Sequence, residues 1–178
     1  MKFRVRQFNA YLMLLAGGLI GCSTGGSHKK QLSSLRIYLE ANTDDPTTTD
    51  TAKIGRSGPV VVHVEKEPFL TEVHVKEAKV LDTEGGFVLQ IKFGKIGGQL
   101  LEQYTTANRG KRFAIFSRFF DPTIHRLNDG RWLAAPKILK HYGDGLFTFT
   151  PDATREEAIA IARGLTDLGR KLDPEPKW

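Results

Sequence analysis

One thiol, five imidazoles and a pair of adjacent acids are the side chains that offer chemistry in this chain. The single cysteine, Cys22, follows a mostly apolar run from Phe8 to Ile20 that is headed by Lys2, Arg4 and Arg6. The histidines are His28, His63, His74, His125 and His141, and none pairs with another His, a Cys or an acid at a zinc-binding spacing. They read as surface or strand-edge residues. Glu156 and Glu157 invite a reading as paired catalytic carboxylates. Their context supplies another role, because Thr154-Arg155-Glu156-Glu157 fits a capping box in which Thr154 starts a helix and Glu157 reaches back to it. Gly-x-Ser-x-Gly and His-Glu-x-x-His are both absent. The glycines at Gly55, Gly58, Gly85-Gly86 and Gly97-Gly98 are followed by no phosphate-binding pattern and read as turns. These residues assign no enzyme activity, no metal, no cofactor and no small-molecule substrate.

The N-terminus has the build of a secretory signal peptide over residues 1–21, too short for a comfortable membrane-spanning helix. It ends in Leu19-Ile20-Gly21-Cys22, which resembles the lipobox of bacterial lipoproteins. That resemblance implies a diacylglyceryl group on the Cys22 thiol, cleavage just before it, and a membrane as the first partner. Ser23 in the next position implies the outer membrane rather than the inner. With its one cysteine committed to lipid, the chain has no intramolecular disulfide and must rely on its core. Cleavage removes three of the 26 basic residues against 20 acids and lowers the net charge from +6 to +3. Part of the basic balance is thus a targeting signal, and nucleic acid is not an expected partner. The set Arg109, Lys111, Arg112, Arg131, Lys137 and Lys140 could meet acidic headgroups. A solvated, helix-capping set is the preferred reading.

The elements that would position these residues can be taken in order. Residues 22–34, rich in Ser, Gly and Lys, read as a flexible tether. Leu35 to Leu39 is a first strand, Asn42 to Gly58 a loose polar loop with too little apolar material to pack, and Val60 to Val64 a strand. The valine-histidine-valine triplets at His63 and His74 are too short to make a repeat. Glu77 to Leu81 and Phe87 to Phe93 form a hairpin around Glu84-Gly85-Gly86, the second strand alternating on Phe87, Leu89, Ile91 and Phe93. Gly97-Gly98 ends that strand and opens a helix to Ala107. Gly110 fits the C-terminal stop of that helix, and Phe113 to Phe116 is a short buried strand. Ser117 to Gly130 is an extended hairpin closed by Asn128-Asp129-Gly130. Trp132 to Leu139 reads as a strand that Pro136 confines to an edge or a bulge. Leu146 to Thr150 is another strand. The capped helix then carries Ala158, Ile161, Ala162, Leu165, Leu168 and Leu172 on one stripe, with Arg155, Arg163, Asp167 and Arg170 opposite.

Several of these segments resemble one family. Arg109-Gly110-Lys111-Arg112-Phe113-Ala114-Ile115 is similar to the GKR-[LM]-A-I segment in the first periplasmic domain of the SecD protein-export membrane protein. Trp132-Leu133-Ala134-Ala135-Pro136-Lys137-Ile138 resembles its x-I-S-A-P-x-I strand. Phe149-Thr150 with Thr154-Arg155-Glu156-Glu157-Ala158 resembles its F-T-x-E-E-A helix start. Glu67-Pro68-Phe69-Leu70-Thr71 with Ala78-Lys79-Val80 echoes its lead-in. The resemblance covers about 68 to 168 and implies the head subdomain of that domain, an α+β unit with a small antiparallel (mixed) sheet and two helices packed on it. The implied organisation is a signal peptide 1–21, a tether 22–34, N-terminal strands and polar loop 35–67, a head-like domain 68–172 and a tail 173–178. The family's Asp-Gly-Gly motif and its later membrane helices have no counterpart here, so ion-driven activity is not implied. The resemblance implies a non-enzymatic, extracytoplasmic domain that binds unfolded polypeptide or an envelope protein, with a purely scaffolding lipoprotein as the alternative. Phe119, Phe120, Arg131 and Trp132 flank the extended hairpin and are the expected partner-binding surface, with core packing the better reading for at least one of the aromatics.

Overall fold

The computed structural model describes residues 33–43, 45–55, 60–121 and 123–172. The expected signal peptide 1–21, Cys22 and His28 lie outside them. Every strand pair described is antiparallel. β1 (Ser34–Leu39), β4 (Leu70–Thr71), β7 (Phe113–Arg118) and β10 (Arg131–Ala134) make one sheet in the order β10-β7-β1-β4. β5 (Val75–Thr83), β6 (Gly86–Phe93) and β11 (Leu146–Phe149) make a second in the order β11-β6-β5. β2 (Thr49–Ile54) pairs with β3 (Val60–Glu65), and β8 (Phe120–Asp121) with β9 (Arg126–Leu127). Two helices complete the α+β fold, α1 (Lys95–Ala107) and α2 (Arg155–Leu172).

The main core lies between the two larger sheets and the helices. Leu35, Ile37 and Leu39 of β1, Phe113 and Ile115 of β7, Leu89, Ile91 and Phe93 of β6, and Ile161 and Leu165 of α2 meet there. Phe69 holds α1 to this core by stacking on Tyr104 at 4.1 Å and leaning on Phe113 at 4.9 Å. The opposite face of the four-stranded sheet is also covered. Tyr38 and Ala114, on β1 and β7, pack there against Ala52, Ile54, Val62 and Val64 of the β2–β3 hairpin, with Phe116 and Trp132 at the rim. Burial of both faces explains why Phe113 to Phe116 is a continuous apolar run rather than an alternating one.

That second core corrects the expected loop at 42–58. Only the start of it turns: Asp45 accepts the Thr47 N–H on its side chain at 2.9 Å and the Thr49 N–H on its carbonyl at 2.9 Å. Thr49 to Ile54 then forms β2, registered residue for residue against Glu65 to Val60. The apolar content is low because the strand needs only Ala52 and Ile54 on its buried face. The expected boundary at 67/68 also separates nothing, since β1 pairs with β7 along its whole length and with β4. The tether ends earlier than expected. Ser33 is buried, its hydroxyl donating to the Ala160 carbonyl at 3.4 Å, and Ser34 already belongs to β1.

The glycine expectations split. Gly110 has φ +89 and terminates α1 as expected, its N–H bonded to the Ile138 carbonyl at 2.9 Å. Gly97 and Gly98, however, lie inside the first turns of α1, which begins at Lys95 behind a Gly94 N-cap. A Cβ on Gly97 would sit 2.7 Å from the Cβ of His74, so the residue is there for close approach, not for a turn. The expected strand Trp132 to Leu139 stops at Ala134, two residues before Pro136. It is an edge strand with a register shift between Trp132 and Ala134, as the proline demands.

Candidate docking surfaces

The hairpin beyond β7 does not present its aromatic residues as one patch. Phe119 is fully buried in the main core. Its N–H donates to Asn128 Oδ1 at 2.9 Å and its carbonyl accepts the Asn128 N–H at 3.0 Å, so Asn128 closes the base of the hairpin. Trp132 turns to the opposite side of the sheet and packs edge-on against Tyr38 at 5.2 Å and Phe116 at 5.3 Å. Phe120 is half-buried, its ring 6.5 Å from the His125 imidazole. The tip between β8 and β9 instead exposes Ile124 and Leu127, and His125 adopts φ 51 there. The surface expected from Phe119, Phe120, Arg131 and Trp132 thus loses Phe119 altogether.

Arg131 is likewise a structural residue. Its guanidinium forms a two-pronged pair with Glu157, at 3.0 and 2.6 Å, and donates to the Asp152 carbonyl at 3.1 Å. It also lies 5.3 Å above the Phe119 ring. Glu157 completes the capping box at the same time, accepting the Thr154 N–H at 2.7 Å while its own N–H donates to Thr154 Oγ1 at 3.3 Å. One buried carboxylate therefore both starts α2 and ties it to β10. The capping motif reveals the first role; the second depends on tertiary packing.

Two of the remaining basic residues serve backbone carbonyls and a third lies over a ring. Arg109 donates to the Leu139 carbonyl at 3.1 Å and Arg112 to the Ala135 carbonyl at 2.7 Å, and Lys140 lies 5.2 Å over the Tyr142 ring. His74 Nδ1 accepts the Thr71 N–H at 3.1 Å. Among the described residues no group of three or more His, Cys, Asp and Glu could hold a metal, and no helix is long and apolar enough to cross a membrane.

Two concave surfaces stand out. One, of about 720 Å³, runs over the outer face of the three-stranded sheet beside Gln90, Lys140, His141, Tyr142 and Thr148. Burial, and secondarily the Asp144 carboxylate, pushes the Tyr142 phenol up from its ordinary value, which keeps it a neutral hydrogen-bonding group. The other, of about 400 Å³, lies between β5 and α2, with Val80, Leu81 and Ile159 beside Lys79, Arg155 and Arg163. The Asp82 side chain engages Arg155 at one end of this groove, with Arg155 Nη2 3.1 Å from Asp82 Oδ2. The hydrogen bond from Arg155 and its charge hold Asp82 below the usual carboxylate range. The sequence offered one signal for this groove: Ile159 is an isoleucine off the apolar stripe of α2, and it is partly exposed.

The family model for the SecDF P1 head subdomain matches residues 47–167. The chain belongs to the SecDF P1 head subdomain family. Among solved structures, one described as a membrane component SecDF that enhances protein export superimposes with a TM-score of 0.52 at 21% identity. That alignment covers 77% of this chain and 63% of the other. A second, SecDF in a super-membrane-facing form, gives the same TM-score and identity over 77% of this chain and 19% of the other. The chain therefore spans less than two thirds of the first and under a fifth of the second, and at this identity the likeness establishes the head fold alone. No curated protein matches. β1 of this head precedes the matched stretch, yet it is a central strand of the four-stranded sheet.

Proposed function

We propose that this SecDF-type head is an extracytoplasmic, lipid-anchored and non-enzymatic domain that binds polypeptide in support of protein export. The observation that carries the proposal is the family match over residues 47–167, which ties the fold to proteins of the export machinery. The lipobox-like Leu19-Ile20-Gly21-Cys22 supports a diacylglyceryl anchor on Cys22, and Ser23 favours the outer membrane over the inner. Residues 23–32 act as the tether between lipid and fold. The exposed side of the β8–β9 hairpin, with Ile124, Leu127 and the half-buried Phe120, is one surface offered to an envelope partner.

The test is crosslinking of the purified chain to an unfolded precursor polypeptide, with pull-down from envelope extract in parallel. Saturable crosslinking is expected. A chain that crosslinks no precursor yet copurifies with an envelope assembly would replace this reading with that of a scaffolding lipoprotein.

A further inference from the structure

Among the described residues β5 is an edge strand whose only sheet partner is β6. In an antiparallel pair, successive residues alternate between exchanging both backbone groups with the partner and turning both away from it. Ala78 marks the set turned away, because Thr166 Oγ1 accepts its N–H at 3.0 Å and donates to its carbonyl at 3.1 Å. The register runs without a shift from Glu77 to Thr83, so Val80 and Asp82 turn their N–H and C=O the same way. Up to Ala78 this edge is covered by α2: a Cβ on Gly169 would lie 2.5 Å from the Lys76 carbonyl oxygen. Beyond Ala78 the groove of about 400 Å³ opens instead. Among the described residues no hydrogen bond reaches the outward backbone groups of Val80 or Asp82.

From this geometry we infer that Val80 to Asp82 is a strand-addition site, where an extended polypeptide segment pairs with the free edge of β5. The inference rests on the polypeptide-binding reading above and names its site. Backbone donors and acceptors repeating every second residue, roughly 6.6 Å apart, match another extended chain and little else. Leu81 and Ile159, both more than a third exposed, supply an apolar floor. The charged residues that line the groove are the cations Lys79, Arg155 and Arg163, with the Asp82 carboxylate at one end. Arg155 is engaged by Asp82 and Lys79 by Glu77 at 3.1 Å, which leaves Arg163 with no paired carboxylate among the described residues. The fitting occupant is thus an extended segment that places an apolar side chain in the groove and a carboxylate near Arg163.

The experiment uses the full chain in detergent and three short acetylated peptides: alternating valine and glutamate, alternating valine and lysine, and the first with every backbone amide N-methylated. Hydrogen exchange at Val80 and Asp82 is expected to slow about tenfold or more with the valine–glutamate peptide and to stay unchanged with the N-methylated one, which has no backbone donor on either edge. The lysine peptide is expected to bind more weakly. Val80→Pro removes an outward N–H without costing a bond to β6, and Ile159→Glu replaces part of the apolar floor with a carboxylate that repels the peptide's own. Each should weaken the valine–glutamate peptide about tenfold, with the unfolding midpoint reported for both. If the chain crosslinks unfolded precursor while the Val80 and Asp82 amides exchange as before, strand addition is wrong and polypeptide binding stands. If no precursor crosslinks, the broader reading falls first. Protection at Val80 and Asp82 from self-association in the absence of peptide would assign the edge to a second copy and overturn the inference.

Discussion

Arg131 on β10 and Glu157 on α2 face each other with both prongs of the guanidinium on both carboxylate oxygens, at 3.0 and 2.6 Å. The Glu157 side chain is 7% exposed and the Arg131 side chain 29%. A pair this buried is held as much by the cost of orphaning either charge as by mutual attraction. It joins the end of the extended hairpin to the start of the last helix, two segments 26 residues apart in the chain.

Removing one partner should therefore cost more than removing both. Arg131→Ala is expected to destabilise the chain by about 3 kcal/mol, since it strands the Glu157 carboxylate. The double variant Arg131→Met with Glu157→Leu should be milder than Arg131→Ala, even though it also gives up the side-chain cap of α2. Urea midpoints at constant slope measure both. A double variant less stable than the single would mean that the pair is a net stabiliser.

Two helical glycines should respond to alanine with the opposite sign from ordinary ones. In a helix interior Gly→Ala normally gains about 1 kcal/mol. Here a Cβ would lie 2.7 Å from His74 Cβ at Gly97, and 2.5 Å from the Lys76 carbonyl oxygen at Gly169. Each substitution is expected to lose about 1–3 kcal/mol from forced displacement. Gly169→Ala should be the worse, because its neighbours are backbone. Thermal melts of the two variants decide it.

Asn128→Ala should loosen the extended hairpin. It removes the acceptor of the Phe119 N–H, a group held next to a fully buried ring. A loss of about 1–3 kcal/mol is expected. Faster amide exchange should be confined to residues 119–128, and acceleration spread evenly over the chain would contradict the assignment.

The acid limb of stability should depend slightly on Asp82. Arg155 lowers the Asp82 pKa from its ordinary 3.8 in the folded chain, so the folded state holds its proton less tightly than the unfolded one. The contribution is present above pH 3.8 and fades as pH falls through the lowered folded value. Asp82→Asn should lower stability slightly at neutral pH and low salt and leave the most acid range nearly unchanged, which flattens that limb. The difference should shrink in high salt, since both side chains face water. Urea titrations from neutral to acid pH, at two salt concentrations, read it out.

The proposed lipidation rests on Cys22 alone. Cys22→Ala is expected to leave the leader uncut at that site and the cysteine-directed acyl label absent. Fractionation and mass of the N-terminal peptide check this, and full acylation of the variant elsewhere would dismiss the anchor.

Much of the fold was open to reading in the primary structure because its signals are local. The capping box at Thr154 and Glu157 involves four consecutive residues, and the Gly110 stop needs only a left-handed position that glycine tolerates. Pro136 lacks an N–H, and β10 stops two residues before it. The alternation of Leu89, Ile91 and Phe93 needs only one covered face. What resisted reading depends on partners distant in sequence. β2 looked like loop because Ala52 and Ile54 suffice once Tyr38, Ala114 and Trp132 lie beneath them. Gly97 looked like a turn until the proximity of His74 required the absence of a Cβ. Phe119, Arg131 and Trp132 looked like one surface because they sit close together in the chain. Packing sends Phe119 into one core, Trp132 to the rim of another, and the Arg131 guanidinium to a carboxylate on α2. The residue types determined which elements form and which family the chain resembles. Only the tertiary structure decided which faces remain open, because exposure belongs to the arrangement of neighbours and not to the residue itself.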